Sequence, residues 1–190
     1  MNEKILVLVG MPGAGKSLCV DYLTAMGMPS VYFGGLIIDE VKRRGLEVNE
    51  PNERSVREEI RAKEGKGAYA TRILIKIDKL LAEGHKNIVA DGLYSWSEYK
   101  IFKDRFDGDA VMIAIAAPRH MRHQRLANRP VRPFSEAEAT SREYAEIEQS
   151  EKGGPIANAD YTIINDSTQE HLFGQLDKVL KEVGINPETK

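Results

Sequence analysis

The sequence predicts an α/β protein with three layers, in which helices cover both faces of a parallel β-sheet. Short apolar, β-prone runs alternate along the 190-residue chain with longer stretches of helical period, a pattern typical of such a sheet. Most of these runs are apolar nearly throughout, as strands are when both of their faces meet helices. No repeat or linker interrupts the pattern, so residues 1–185 are expected to form a single domain, with a frayed tail at 186–190.

Five runs have the composition of strands, and they lie at residues 5–9, 30–33, 87–91, 110–116 and 161–165. The second is the weakest, because Pro29 precedes it and the pair Gly34 and Gly35 is expected to stop it. The eight predicted helices occupy residues 17–26, 36–44, 53–63, 68–83, 97–106, 120–128, 135–150 and 169–183. Ser135 opens a capping box at the start of the seventh helix, and Gly184 is a suitable C-cap for the last.

The composition excludes several classes of protein. With 42% apolar and 29% charged residues, the chain has the profile of a soluble globular protein. Its 27 basic and 29 acidic residues give a net charge of −2, whereas a nucleic-acid binder usually shows a basic excess. Cys19 is the single cysteine, which fits a reducing cytosol, and no segment approaches the ~20 apolar residues that span a membrane. We therefore expect a cytoplasmic protein, monomeric or homodimeric, without nucleic-acid or membrane partners.

The clearest functional motif begins at Gly10 and ends at Ser17. It reads Gly-Met-Pro-Gly-Ala-Gly-Lys-Ser, which matches G-x-x-x-x-G-K-[ST], the phosphate-binding loop. The glycines let successive N–H groups point into one concavity, and the following helix adds the positive end of its dipole. Lys16 would reach the β- and γ-phosphates, and the Ser17 hydroxyl would bind Mg²⁺. The expected nucleotide-binding residues in this segment are Gly10, Pro12, Gly13, Ala14, Gly15, Lys16, Ser17 and Leu18.

An acidic residue, Asp91, ends the third predicted strand and is followed by Gly92. Open α/β sheets gather their ligands at the carboxyl ends of the strands, so this carboxylate is expected near the phosphate loop. It could hold Mg²⁺ through water or accept a proton from an attacking hydroxyl group. The alternative is an Asp-Gly turn without a chemical role. We predict Asp91 as a catalytic and metal-binding residue.

Arginines are dense after the fourth predicted strand, at Arg119, Arg122, Arg125, Arg129 and Arg132. Planar guanidinium groups suit phosphate oxygens and the charge of a phosphoryl transition state. The last three surround a short connection made stiff by two prolines, which favours a function in nucleotide binding for Arg125 and in catalysis for Arg129 and Arg132. For Arg119 and Arg122 a solvated basic helix face is the favoured interpretation.

With these features the sequence resembles the P-loop small-molecule kinases, the group that contains adenylate kinases and dephospho-CoA kinases. Within this group it is most similar to a branch that is related to the adenylate kinases but is distinct from the two kinds of enzyme just named. The resemblance covers about the whole chain and rests on the phosphate loop, Asp91-Gly92, Ala-Pro-Arg at 117–119, Arg125-x-x-x-Arg129, Arg142 and the segment 159–166. It implies a P-loop NTPase fold with strand order 2-3-1-4-5, a short lid at about 129–135, ATP and Mg²⁺ as cofactors, and Asn165 and Asp166 beside the adenine ring.

Two departures from that family concern the acceptor. Dephospho-CoA kinases carry acids where this chain has Gly34 and Gly35, and adenylate kinases carry an arginine after the Asp-Gly, where this chain has only Leu-Tyr-Ser-Trp. The acceptor is therefore expected to differ from an ordinary nucleoside monophosphate, or its phosphate is held elsewhere. The predicted substrate-binding residues are Arg54, Arg57, Tyr94 and Arg142, with Arg61 and Trp96 as further candidates. A solvated helix face for the three arginines of residues 53–63, and packing at a helix start for the two aromatic residues, are equally weighted alternatives.

The sequence thus favours an ATP-dependent phosphotransferase that acts on a small hydroxyl- or phosphate-bearing metabolite. Such chemistry is mostly positioning and charge neutralisation, which the phosphate loop, Asp91 and the arginines can supply. The alternative is a nucleotide-dependent switch or accessory ATPase that acts through a protein partner. It is motivated by the glycines at 34 and 35, which leave the acceptor pocket without its acids.

Overall fold

Five parallel strands form one sheet in the computed structural model, which describes residues 3–130 and 133–186. They are β1 (Lys4–Val9), β2 (Ser30–Tyr32), β3 (Asn87–Asp91), β4 (Ala110–Ala116) and β5 (Tyr161–Ile164). The order across the sheet is β2-β3-β1-β4-β5, which confirms the predicted order. Leu8 of β1 pairs with Asp91 of β3 and with Ile113 of β4, so the carboxyl end of β3 lies beside the end of the central strand.

Nine α-helices connect and follow the strands in the part of the chain that is described. They are α1 (Lys16–Ala25), α2 (Phe33–Arg43), α3 (Glu50–Glu64), α4 (Ala68–Ala82), α5 (Trp96–Phe106), α6 (Arg119–Asn128), α7 (Glu136–Glu148), α8 (Gly153–Ala157) and α9 (Gln169–Glu182). The capping box predicted at Ser135 is present, because its side chain accepts from Glu138 N and the Glu138 carboxylate accepts from Ser135 N. The predicted tail lies outside the described residues except for Asn186.

The core has two halves, one on each face of the sheet. Alternate side chains of β1 point to opposite faces, so Ile5, Val7 and Val9 pack with helices α2 to α5, while Leu6 and Leu8 pack with α1 and α9. All five of these side chains are fully buried. This two-sided burial explains the continuous apolar runs from which the sheet is predicted.

The second strand and second helix differ from the prediction. Gly34 and Gly35 do not stop a strand ahead of a helix at 36; they lie in the first turn of α2, which begins at Phe33 directly after β2. A Cβ added at Gly34 would overlap the ring and hydroxyl of Tyr32. The glycine is therefore required by a side chain that folds back over the helix start, a contact that local propensity does not reveal.

Two other stretches also differ. Helix α3 begins at Glu50, three residues before the predicted start, because Asn49 caps it by accepting from Asn52 N at 3.0 Å and a proline occupies its first turn. Helix α8 was not predicted, since its sequence Gly-Gly-Pro-Ile-Ala has low helix propensity. It forms where Gly154 packs against Trp96 on α5. Tertiary packing therefore overrides propensity at α8.

The described helices are short in comparison with the span of a bilayer. The longest, α3 and α4, have 15 residues each. No helix of the described residues combines the length and the apolar composition needed to cross a membrane.

Candidate nucleotide and phosphoryl-transfer site

The phosphate loop connects β1 to α1 at the carboxyl edge of the sheet, as the motif predicts. Gly13 and Gly15 have φ angles of 77° and 103°, in the left-handed region that favours glycine. A Cβ at Gly13 would lie 2.6 Å from the Arg122 carbonyl oxygen, and one at Gly15 would overlap the Asn165 amide nitrogen. The loop is thus pressed against α6 on one side and the end of β5 on the other, which fixes its curvature around the concavity.

The side chains of the predicted loop residues divide into two groups. Pro12, Lys16 and Ser17 line a cleft at the carboxyl edge of the sheet. Ala14 is buried in the core beneath the loop, so only its backbone could contact a ligand, and Leu18 is partly buried against the same core. This division follows from the helix that begins at Lys16, because it turns one face toward the sheet and the other toward the cleft.

The Lys16 side chain bonds back to the backbone at the start of the phosphate loop. Its Nζ donates to the Gly10 carbonyl oxygen at 2.8 Å and to the Met11 carbonyl oxygen at 3.5 Å. Burial in the cleft, followed by the positive charge of Lys152, lowers the pKa of Lys16 to about 8. Desolvated cations of this kind gain the most from an anionic ligand, because water does not compete for the charge.

Asn165 and Arg125 hold the phosphate loop in place through hydrogen bonds to its backbone. The buried Asn165 amide donates from Nδ2 to the Ala14 carbonyl oxygen at 2.8 Å. Arg125 on α6 donates to the Asn165 carbonyl oxygen at 3.0 Å and to the Gly13 carbonyl oxygen at 3.4 Å. Both residues were predicted to bind nucleotide, and the structure places both against the phosphate loop. Direct contact with a nucleotide stays a prediction for them.

Asp91 lies at the end of β3 and lines the same cleft as Lys16 and Ser17. Burial raises the pKa of its carboxyl group, while the nearby charges of Lys16 and Lys152 act in the opposite direction. Carboxylate and hydroxyl oxygens are the ligands that Mg²⁺ prefers, usually with water and substrate phosphates completing its shell. Asp91 and Ser17 thus fit the metal role predicted for them.

The cleft has a volume of about 270 Å³ and is lined by residues from both halves of the chain. Its lining includes side chains that were not selected from the sequence, among them Tyr32, Glu53, Glu146 and Lys152. Tyr32 follows from the glycine at 34, which leaves room for its ring. No feature of the sequence marks Glu146 or Lys152 as a site residue, because they resemble the ordinary charged residues of a helix and a turn.

Glu146, Lys152 and Arg142 form an ion cluster in the wall of the cleft. The Glu146 carboxylate accepts from Arg142 Nε at 2.9 Å through one oxygen and from Lys152 Nζ through the other. Glu146 is 4% exposed and Lys152 is 1% exposed. The opposing effect of burial is outweighed by Lys152 and Arg142, which hold the pKa of Glu146 at about 2. The Glu146 carboxylate is therefore ionised throughout the neutral pH range.

The predicted lid is only partly described. Arg129 lines the cleft, and its guanidinium lies 4.2 Å from the centre of the Phe134 ring, which closes the same side. Arg132, the second predicted lid arginine, lies outside the described residues. The stacking contact holds Arg129 against the cleft, and its catalytic role stays a prediction.

The interpretation of Arg119 and Arg122 as a solvated face is wrong for Arg122. Its side chain is 14% exposed and pairs with the Glu143 carboxylate on α7, while Nη1 donates to the Ala117 carbonyl oxygen at 3.0 Å. Arg119 is half exposed but donates to the same carboxylate at 2.9 Å. The buried glutamate attracts both guanidinium groups and ties α6 to α7. Helical spacing alone cannot show a partner on another helix.

A second cavity adjoins the cleft and lies between α3 and α7. This basic groove has a volume of about 460 Å³ and shares Phe134, Arg142 and Glu146 with the cleft. Its other basic lining residues are Arg54, Arg57, Arg61 and Lys66. The groove therefore brings together the arginines that were predicted to bind the acceptor.

These arginines differ in their surroundings. Arg54 is exposed and pairs with Glu58 one turn away at 2.9 Å, which agrees with the alternative of a solvated face. Arg61 donates from Nη1 to Ser150 Oγ at 3.1 Å, and within the described residues its buried Nε and Nη2 have no hydrogen-bond partner. An anion in the groove would satisfy such donors, because an unpaired buried N–H group is costly.

The two aromatic candidates for acceptor binding, Tyr94 and Trp96, also differ in their surroundings. Tyr94 lines the cleft, and burial raises the pKa of its hydroxyl group well above the usual value. Trp96 instead stacks on Tyr99 with ring centres 4.7 Å apart and packs against Gly154. Trp96 therefore packs at a helix start, as the alternative interpretation predicts, whereas Tyr94 stays a candidate for contact with the acceptor.

Comparison with known proteins agrees with this geometry. Residues 6–149 match the family model described as an AAA domain. A UPF0200 protein of Thermococcus onnurineus strain NA1 is 33% identical over 182 residues, covering 94% of this chain and 97% of that protein. A UPF0200/UPF0201 protein of Archaeoglobus fulgidus is 32% identical over 192 residues, and the chain spans 58% of its length. The shikimate kinase of Acinetobacter baumannii, solved in complex with shikimate, has a TM-score of 0.56 at 17% identity, over 95% of this chain and 94% of that one.

The phosphate loop, the strand order and the carboxylate at the end of β3 define a P-loop protein with the architecture of the small-molecule kinases. Within that class, the chain belongs to the UPF0200 family. The expectation of a P-loop kinase fold is confirmed. The finer resemblance to adenylate or dephospho-CoA kinases stays a prediction.

Proposed function

We propose that the protein is an ATP-dependent phosphotransferase that moves the γ-phosphoryl group of Mg·ATP to a small metabolite. The observation that carries this proposal is the pairing of two cavities, a phosphate-loop cleft and a basic groove, which share Phe134, Arg142 and Glu146. A phosphotransferase needs neighbouring sites for donor and acceptor, so that binding aligns the reacting groups. A protein that only binds or hydrolyses ATP has no need of the second cavity.

On the donor side, the backbone N–H groups of the loop and the Lys16 ammonium would hold the β- and γ-phosphates. The Ser17 hydroxyl and the Asp91 carboxylate would hold Mg²⁺, which neutralises charge on the phosphate oxygens when it is bound. Asp91 could also accept the proton of the attacking hydroxyl group, which is the second role open to it. Arg129, stacked on Phe134 at the mouth of the cleft, would neutralise charge that develops during transfer.

On the acceptor side, the groove favours a metabolite that carries an anionic group. Arg57, Arg61 and Arg142 line it, and a planar guanidinium binds carboxylate or phosphate oxygens through parallel hydrogen bonds. Glu58 and Glu138 line the same groove, so part of the acceptor would be a hydroxyl-bearing polar body rather than a second anion. This composition matches the expected hydroxyl- or phosphate-bearing metabolite.

The test is phosphoryl transfer itself. The protein would be incubated with Mg·ATP and fractionated metabolite pools, and ADP and phosphorylated products would be measured together. We expect ADP formation to depend on a particular anionic acceptor and to fall strongly in Lys16→Ala. ADP formation at the same rate with and without every acceptor fraction would contradict the kinase proposal and favour an accessory ATPase.

A further inference from the structure

Lys152 is the least exposed of the cations that line the cleft. Its side chain is 2% exposed, and its ammonium lies 4.6 Å from the centre of the Tyr94 ring. Among the described residues its ammonium has one hydrogen-bond acceptor, the Glu146 carboxylate. An ammonium group has three donors, so one carboxylate oxygen and an aromatic face leave it incompletely satisfied. A buried lysine in that state is suited to a second anionic partner.

The backbone holds Lys152 in this position. Glu151 has a φ of 55°, a left-handed conformation that is unfavourable for a residue with a side chain. It turns the chain sharply between α7 and α8, and Lys152 N donates to the Glu146 carbonyl oxygen at 3.1 Å. Gly154 then brings α8 so close to α5 that a Cβ there would lie 2.9 Å from the Trp96 ring. The lysine is thus aimed at the cleft by a strained turn and a docked helix.

Lys152 and Lys16 are electrostatic neighbours within the cleft. Both side chains line the cleft, so their like charges face the same space and repel each other. The Glu146 carboxylate is hydrogen-bonded to Lys152 and Arg142. Two desolvated ammonium groups that repel each other would both be stabilised by an anion bound within reach of both.

We propose that Lys152 is a second phosphate-binding lysine, which contacts the γ-phosphoryl group of Mg·ATP together with Lys16. Glu146 is a positioning residue that holds the Lys152 ammonium against the Tyr94 ring. The inference rests on the proposed function only in requiring that Mg·ATP binds in the cleft. It concerns recognition of the γ-phosphoryl group and is independent of which acceptor receives it.

The test compares binding of Mg·AMPPNP, a non-hydrolysable ATP analogue, with binding of Mg·ADP by calorimetry. Lys152→Met should weaken Mg·AMPPNP about tenfold or more, as expected on loss of a charged hydrogen bond, and change Mg·ADP less than about threefold. Lys152→Arg should retain most of the preference for the γ-phosphate. A matched control is Lys103→Met, which removes a lysine paired with Asp160 outside the cleft and should leave both affinities unchanged.

Lys152→Met leaves the Glu146 carboxylate with one cation fewer and could destabilise the fold. The double variant Glu146→Gln/Lys152→Met removes both charges, so it should recover thermal stability and still lack the γ-phosphate preference. Equal weakening of both nucleotides, or an unchanged preference in the double variant, would show that Lys152 is only structural and overturn the inference. Since no acceptor is needed, a protein that fails the transfer test can still pass this one.

Discussion

Asn165 at the end of β5 donates from Nδ2 to the Ala14 carbonyl oxygen at 2.8 Å, which joins the last strand of the sheet to the phosphate loop. The two residues are 151 positions apart in the chain and both are buried. The bond holds a carbonyl oxygen away from the concavity, so the neighbouring N–H groups can face it. The shape of the loop therefore depends on a strand that is far away in sequence.

Asn165→Ala should weaken Mg·ATP binding about tenfold. The substitution leaves the buried Ala14 carbonyl oxygen unpaired, a loss of about 1–3 kcal/mol that the loop can reduce only by changing shape. Binding would be measured by calorimetry. Gln175→Ala is the matched control, because the Gln175 side chain bonds the backbone of Ile164, donating to its carbonyl oxygen at 2.8 Å, and does not bond the phosphate loop within the described part of the chain. An equal loss of affinity in both variants would contradict a specific role for Asn165.

Mg·ATP should raise the unfolding midpoint by about 5 to 10 °C. At a hundredfold excess over the dissociation constant a ligand adds about 2.7 kcal/mol, and each kcal/mol moves the midpoint by roughly 2 to 4 °C for a chain of this size. Lys16→Ala should remove most of the gain, whereas Lys79→Ala, on an exposed part of α4, should keep it. A wild-type midpoint that does not move at millimolar Mg·ATP would count against the phosphate-loop assignment.

Arg129→Ala should separate binding from chemistry. If the guanidinium acts on charge that develops only during transfer, the variant should keep Mg·ATP affinity within about tenfold and lose ~10³ in turnover with the acceptor found in the transfer test. Arg105→Ala removes another arginine stacked on a phenylalanine, 5.1 Å from the Phe106 ring and outside the cleft, and should keep full turnover. Arg132→Ala is expected to resemble Arg129→Ala. Near-full turnover in both lid variants would exclude the lid arginines from catalysis.

Glu98→Gln should flatten the dependence of stability on pH. Burial raises the pKa of the Glu98 carboxyl group to about 7, from an ordinary value of 4.5, although its oxygen accepts from Tyr94 N and Ser95 N. Between these values the folded protein keeps a proton that the unfolded chain releases, so the free energy of unfolding falls as pH rises from 4.5 to 7. The full loss is on the order of 3 kcal/mol and persists at higher pH.

Glutamine can still accept both backbone hydrogen bonds but has no proton to lose, so the variant should be the more stable protein at pH 8. Chemical unfolding between pH 5 and 8 would measure the difference. Glu138→Gln changes the corresponding glutamate in the exposed capping box of α7, where hydrogen bonds from Ser135 lower the pKa. Its effect on the pH dependence of stability should appear only below the ordinary glutamate pKa, because the stabilisation by the ionised group is constant above it. A wild-type protein whose stability rises from pH 5 to 7 would contradict the assignment at Glu98.

The sequence by itself determined the sheet, its strand order through resemblance, and the half of the site that is local in sequence. The phosphate loop, Lys16 and Ser17 are contiguous, and Asp91 is marked by its place at the end of an apolar run. These features follow from the period of the side chains and from the backbone freedom of glycine, both of which operate over a few residues. Three arginines of the basic groove, Arg54, Arg57 and Arg61, were also found, because they recur at helical spacing on α3. Arg142 on α7 was found through the resemblance.

Only the tertiary structure decided which isolated charges enter the site. Lys152 and Glu146 come from a turn and a helix whose sequence resembles any solvated surface, and they are buried because α8 docks on Trp96. Tyr32 enters the cleft because a glycine two residues later accommodates its ring, and Arg122 leaves the solvent because Glu143 faces it from α7. Burial and ion pairing across elements depend on how helices pack. Propensity and motif spacing carry no information about that packing.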